Sequence, residues 1–458
     1  MLLPARSLAD ELEEYERGDF TRTRLLAWCA AAWCASLSLF RPVEAAMFGV
    51  VAFICVYRLP ATARVWRAAL WTPAGMLVVL YLVLTAVITA LDPARVEWSE
   101  LLPKRMFFIP LLLLPVLPRW RLLLAGLAVG AALGALVSFG RALYHWAGQP
   151  EFRIEIADGS AWTLTVGVVF GFSALLGSQR LLQIVGVLGG AAILAMQSTM
   201  TQRAPVFGAL VGLVVLGALA VQRLRSRGRI AVAVLIPLAV IGTIALSFLS
   251  GGAANKSLRE AFGVGDRATA PTVVLPDYEA MSAFSSSRLE LWRVTALAVP
   301  DRFWFGHGRY AWRADVDGVI DAMPSPTPSS ERIRRAREVK YAHNTPLDVL
   351  YESGIVGLGL LAAAFTVGLV GAFRRMHAEP LAIVAVAALV GTLASAQFDH
   401  VFQRSIQGAV LCTLAVMVLF PRPSSSAWSR AGLGAQDDGI DHWARSSNAD
   451  GKKIRSRV

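Results

Sequence analysis

Residues 340–361 read KYAHNTPLDVLYESGIVGLGLL, a polar head that opens directly onto an apolar run extending over 346–373. A run of that length meets the roughly 20 residues needed to cross a hydrocarbon core. Its polar head therefore belongs at a membrane boundary, and the compartment it faces decides what it can do. Comparable runs recur at 25–41, 43–57, 69–91, 106–118, 121–144, 161–178, 181–198, 204–222, 230–250, 380–396 and 404–420. Together they predict an all-α integral membrane protein with about twelve transmembrane helices and one long, partly helical loop on the outer side. The second and fourth runs are short.

Composition agrees. Of 458 residues, 55% are hydrophobic and only 17% charged, which excludes an ordinary soluble enzyme. The formal net charge of +12 raises the question of nucleic acid. If the N-terminus is cytoplasmic, however, the cytoplasmic connections receive Arg58, Arg64 and Arg67, then Arg119 and Arg121, then Arg180. Arg223, Arg225, Arg227 and Arg229 follow on that side, and finally Arg374 and Arg375. The positive-inside rule thus accounts for the charge, and no nucleic-acid partner is expected. No small-residue cleavage site follows the first apolar run, so no cleavable signal peptide is expected. Cys29, Cys34, Cys55 and Cys412 all fall inside predicted spans, with neither a disulfide framework nor a metal spacing.

These runs divide the chain into a cytoplasmic segment 1–24, spans one to nine over 25–250, a periplasmic loop 251–345, three spans over 346–420, and a disordered cytoplasmic tail 421–458. The loop holds 13 Lys/Arg and 11 Asp/Glu, nearly balanced. A connection this long is usually folded or functional. Within it SSSRLELWRVTALAV (285–299) has helical periodicity, and ERIRRAREVK (331–340) reads as a charged surface helix.

The polar head places Thr345 as N-cap, Pro346 at the first helical position and Asp348 three residues after the cap. His343 then precedes a helix N-terminus, whose partial positive charge disfavours imidazolium. A neutral imidazole can accept a hydroxyl proton, as a general base must; a histidine that merely hydrogen-bonds a loop is the plainer reading. Glu352, two turns further on, is either a structural partner or functional. Gly354, Gly357 and Gly359 read as close-packing positions. Three arginine-bearing segments share the predicted outer face: MTQRAP with Arg203, SSSRLELW with Arg288 and Trp292, and FDHVFQR with Asp399, His400 and Arg404. Guanidinium binds phosphate oxygens in bidentate fashion, so Arg203 and Arg288 are candidates to hold a diphosphate, against a plain salt bridge to loop carboxylates. Arg404 and Arg309 are weaker candidates. His307 and His400 read as solvated or structural, Asp399 as orienting a histidine or neutralising an arginine, and Asp315–Asp317 as a weak metal motif.

Taken in order, these segments resemble the O-antigen ligase family, whose superfamily includes O-antigen polymerases and protein O-oligosaccharyltransferases. The likeness spans about 25–420 and is most specific from Arg288 to Gly359. There SRLELW is followed by PDRFWFGHG (300–308) and then AHNTPLDVLYESGIVG (342–357). TQRAP is similar to the superfamily's arginine turn, with Gln202 where serine is common. The resemblance implies an inner-membrane enzyme, both termini cytoplasmic, that uses no cofactor or metal. Its donor would be O-antigen on undecaprenyl diphosphate, its acceptor a hydroxyl of lipid A–core, and its site periplasmic. Arg203 and Arg288 would bind the diphosphate and His343 would be the base, with Asn344, Glu352, Asp399 and Trp292 in support. A lipid-linked glycan transporter is the competing class, disfavoured because the candidate polar groups gather at one boundary rather than at mid-membrane.

Overall fold

The computed structural model describes residues 6–39, 41–91, 108–146, 160–176, 179–199, 203–221, 226–249, 288–323, 326–336, 341–376, 379–399 and 405–420. The regular elements among them are all helical. Helices α1 (Leu8–Gly18), α2 (Phe20–Ser36), α3 (Arg41–Tyr57), α4 (Leu59–Leu70) and α5 (Pro73–Leu91) come first. Helix α6 (Ile109–Leu113) runs through a 3-10 stretch, Leu114–Arg119, into α7 (Trp120–Trp146). Then come α8 (Ser160–Ser173), α9 (Arg180–Thr199), α10 (Arg203–Val221) and α11 (Ser226–Leu249). The long loop contributes α12 (Arg288–Ala298), α13 (Trp312–Asp321) and α14 (Pro328–Arg335). The chain closes with α15 (Thr345–Met376), α16 (Pro380–Ser395) and α17 (Ser405–Leu419).

This is a multi-pass membrane protein. Among the described residues six helices are long and apolar enough to cross a bilayer, or seven if α3 and α4, bent by 95°, count as one span. Parts of α8, α11 and α17 are apolar but shorter. The twelve expected runs thus all carry helix, but not twelve full-length spans. The fourth departs most. Pro110, Pro115 and Pro118 interrupt it, each without an N–H to donate, so it forms one short α-helix and a 3-10 stretch that continues into α7. The charged helix expected at 331–340 instead starts at Pro328, capped by the Thr327 side chain, and ends at Arg335. Residues 251–287, 337–340 and the tail 421–458 lie outside the described set.

One end of the bundle gathers the arginines. The amphipathic α1 buries Leu8, Leu12 and Tyr15 against α4 and the 3-10 stretch. Arg58 donates to Thr23 Oγ1 at 2.7 Å and to the Tyr15 carbonyl at 3.0 Å. Arg119 pairs with Glu16, and Arg64 with Glu14, each at 2.7 Å.

At the other end, α10 and α16 run antiparallel with their backbones almost touching. A Cβ on Gly391 would lie 2.5 Å from the Gly208 carbonyl oxygen, so only glycine allows this approach. The seam sets the first turn of α10 against the last turn of α16. Above it, α12, α13 and α14 form a small cap with its own core, including Leu291, Val294, Trp312, Val316, Ile320 and Ile333, and closed by Tyr351 of α15. Trp312 Nε1 donates to Thr295 Oγ1 at 2.7 Å, and Thr327 Oγ1 to the buried Glu290 at 3.0 Å.

The cap is joined to α15 at a break. Gly354 has φ 66°, and the helix's own hydrogen bonds lapse around it. Residues 303–308 supply replacements. His307 N and Gly308 N donate to the carbonyls of Tyr351 and Glu352, at 2.8 and 3.0 Å. In return Ile355 N and Val356 N donate to the carbonyls of Phe303 and Trp304, at 2.9 and 3.3 Å. Four backbone groups freed by the break are thereby reused, as burial favours. Gly306 (φ 72°) makes the facing turn, and a Cβ there would sit 2.6 Å from Gly354 N. Gly354 is thus a packing position, as expected, but against the backbone of Trp304 and Phe305 rather than another span, and it also marks the break in the chain path. Gly357 abuts Ser353, and a Cβ on Gly359 would meet open space.

Candidate active site

The start of α15 builds the site. Asn344, not Thr345, is the N-cap: its Oδ1 accepts from Leu347 N at 2.9 Å, and its Nδ2 donates to the Gln397 carbonyl at 2.9 Å. Thr345 is released for another task, donating from Oγ1 to the Asp399 carbonyl at 2.6 Å. Asp348, fully inside, accepts from Ala342 N at 2.7 Å and so ties the preceding loop to the first turn. Both contacts fasten the 396–399 stretch and the 341–344 loop to the same helix end.

Between them sits His343, held at φ 55°, a left-handed conformation that a non-glycine residue adopts only where its surroundings impose it. Its Nδ1 lies 3.1 Å from Asp399 Oδ1, and the Tyr341 ring stands 4.6 Å from the imidazole. A carboxylate facing Nδ1 fixes the proton there and leaves Nε2 with its lone pair. Among the described residues Nε2 has no hydrogen-bond partner, and the side chain remains one-fifth exposed. Asp399 is held in turn: its Oδ2 accepts from Nε2 of the fully buried Gln407, in the first turn of α17, at 3.1 Å. The result is an amide–carboxylate–imidazole chain ending on an accessible nitrogen.

A ladder of aromatic rings connects this chain to the two expected arginines. Phe398, just before Asp399, meets Phe207 of α10 edge-on at 5.2 Å and Trp292 of α12 at 6.0 Å. Phe207 lies one turn after Arg203, and Trp292 one turn after Arg288, so each arginine stands on the turn above its rung. Arg203 is the first residue of α10; its side chain lies outside the described set. Arg288 is the first residue of α12, half-buried and engaged with neighbouring groups. The starts of α10, α12, α15 and α17 therefore gather around Asp399, and each brings the positive end of a helix dipole. Such a gathering is suited to an anion.

Other expected residues fall elsewhere. Glu352 is buried at the break, where its Oε1 accepts from Tyr310 N at 3.3 Å, so it secures the cap segment rather than His343. Arg309 lies beside α5, its backbone N–H donating to Thr89 Oγ1 at 3.0 Å. His307 is buried: its ring stacks on Tyr351 at 4.4 Å, with Nε2 3.0 Å from the Ala298 carbonyl and Nδ1 3.2 Å from Asp315. Asp315 also accepts from the Tyr351 hydroxyl, while Asp317 faces Arg313, so the Asp-x-Asp pair diverges. His400 and Arg404 lie outside the described residues. Gln407 is the residue that reading the sequence misses. It is one polar side chain in an apolar helix, and only its partner across the turn gives it meaning.

Residues 166–362 match the family model described as O-antigen ligase. That stretch includes Arg203, Arg288, His343 and Glu352 and ends before Asp399 and Gln407. No curated protein matches the chain.

Proposed function

With residues 166–362 belonging to the O-antigen ligase family, we propose that this membrane protein is a glycosyltransferase that moves O-antigen polysaccharide from undecaprenyl diphosphate to a hydroxyl of lipid A–core. The observation that carries the proposal is the His343–Asp399 pair at 3.1 Å, linked through Phe398 to the helix starts bearing Arg203 and Arg288. One acid–base group with an accessible nitrogen beside an anion-favouring cluster is what a single displacement on a sugar diphosphate needs.

In the proposed reaction the acceptor hydroxyl attacks the anomeric carbon of the donor. A new C–O bond forms as the bond from that carbon to the diphosphate oxygen breaks. The hydroxyl proton passes to Nε2 of His343, and Asp399 stabilises the imidazolium that results. Gln407 keeps the second carboxylate oxygen occupied so that the first stays aimed at Nδ1. Arg203 and Arg288, aided by the positive ends of the gathered helices, bind the diphosphate and stabilise the charge that grows on it. No enzyme nucleophile intervenes, so the anomeric configuration inverts. The sugar–diphosphate bond already stores the driving energy, and no nucleotide takes part.

The face is assigned by charge. Arg58, Arg64 and Arg119 lie at the α1 end, opposite the start of α15. By the positive-inside rule the α1 end is cytoplasmic and the site periplasmic, within reach of two lipid-anchored substrates.

The test is reconstitution with purified lipid-diphosphate glycan and lipid A–core, with EDTA and without nucleotide. Glycan on lipid A–core supports the ligase reading. Extension of the lipid-diphosphate glycan instead would make the protein a polymerase. No transfer to either, with glycan flux across the proteoliposome, would replace the enzyme by a transporter.

A further inference from the structure

Phe303, Trp304 and Phe305 take no part in the transfer proposed above, yet they are three successive large rings left 42%, 64% and 56% exposed. In a water-facing loop such a tip would be a liability. Nor is it loosely held: the backbone carbonyls of Phe303 and Trp304 are the acceptors that complete the break in α15, and Gly306 N closes the turn onto the Arg302 carbonyl at 2.7 Å. The rings project from a segment fixed at both ends to a membrane-crossing helix.

Two counts give the height of that segment. Between the break and Arg374, residues 355–373 form an uncharged stretch. At about 1.5 Å per residue it spans about 28 Å, close to the roughly 30 Å hydrocarbon thickness. The membrane boundary therefore falls at Ile355 and Val356, the residues that donate to the tip. Helix α5 gives the same level independently. Arg309 N donates to Thr89, in the last turn of a span whose Leu80, Val83, Val87 and Leu91 are exposed as lipid-facing side chains are. Tryptophan is the residue type enriched at that depth, with its ring in the apolar region and its N–H toward headgroups.

We propose that residues 303–305 form a membrane wedge whose occupant is bulk phospholipid of the leaflet nearest the candidate site. Through the α15 break, the wedge fixes the height of the cap, and hence of Arg288, above the bilayer. Lipid is favoured over a protein partner because the tip coincides with the boundary read from two separate helices. The polyprenyl chain of a donor is the rival occupant.

The experiment uses the full chain in nanodiscs of phosphatidylethanolamine and phosphatidylglycerol with no polyprenyl lipid, and a photoreactive benzoylphenylalanine at position 304. A second sample carries it at 305, in case one substitution impairs folding, and a control carries it at the exposed Asp317 on α13. Phospholipid adducts at 304 or 305, at least tenfold above those at 317, are the expected result. Equal labelling at 317, or no lipid adduct at either tip position, overturns the wedge. Adducts that form only after a polyprenyl phosphate is added overturn bulk lipid as the occupant and assign the tip to the donor's chain. None of these outcomes requires glycan transfer, so the wedge and the enzyme reading fail separately.

Discussion

The cap and the start of α15 each contain a histidine facing an aspartate at almost the same distance, 3.2 Å for His307–Asp315 and 3.1 Å for His343–Asp399. Their surroundings differ in kind. His307 is buried, stacked on Tyr351 and engaged through Nε2 with a backbone carbonyl. His343 has its carboxylate on one nitrogen, and its other nitrogen has no partner among the described residues. A pair sealed among packed side chains can only hold the fold together; one with an accessible lone pair can move a proton. The difference lies in access to the ring, and no inspection of residue types would reveal it.

The sharpest way to break this contrast is to remove each imidazole. His343→Ala is expected to lower glycan transfer about 1000-fold, within the range for loss of a general base, with donor binding retained in a filter assay. His307→Phe, which keeps the stack on Tyr351, is expected to leave turnover within about threefold while lowering the melting temperature in detergent. Equal losses of turnover would erase the distinction. Asp399→Asn comes next, at about 100-fold in kcat with KM little changed, because it replaces the carboxylate that fixes the tautomer with a neutral amide. Gln407→Leu is the finest probe. It should cost about tenfold in kcat, in the double variant with Asp399→Asn it should add little further loss, and full additivity would show that the two do not act as one chain. For the anion cluster, Arg288→Ala should weaken donor binding about tenfold, read by titration with undecaprenyl diphosphate; unchanged affinity would detach the cluster from the diphosphate.

Local signals carried much of this into the sequence. Apolar length marked the helices, and the polar head of 340–361 drew attention to His343 because a helix start is announced by its own neighbours. The same locality explains the misses. Thr345 looked like the cap, but its hydroxyl is taken by the Asp399 carbonyl, 54 positions along the chain, and Asn344 caps instead. Gly354 reads as a packing glycine and is one, but its neighbour is the 303–308 segment, about 50 positions earlier, which also completes its broken turn. The fourth apolar run had the right hydropathy but was short, and its three prolines were legible, yet hydropathy does not register a missing N–H. Gln407 carried no signal at all, since an amide among Ser405, Ile406 and Gly408 gains its role only from Asp399.

The glycine seam between α10 and α16 has one more consequence. Arg203 begins the first of these helices and Asp399 follows the second, so the spacing between anion binder and base support is gauged by two residues without side chains, Gly208 and Gly391. Even one added methyl group would act as a shim, prising the two halves of the site apart while leaving every reactive group in place. Damage of that sort would pass unnoticed in a catalogue of catalytic positions, and it would appear first as a donor that still binds but is presented at the wrong reach.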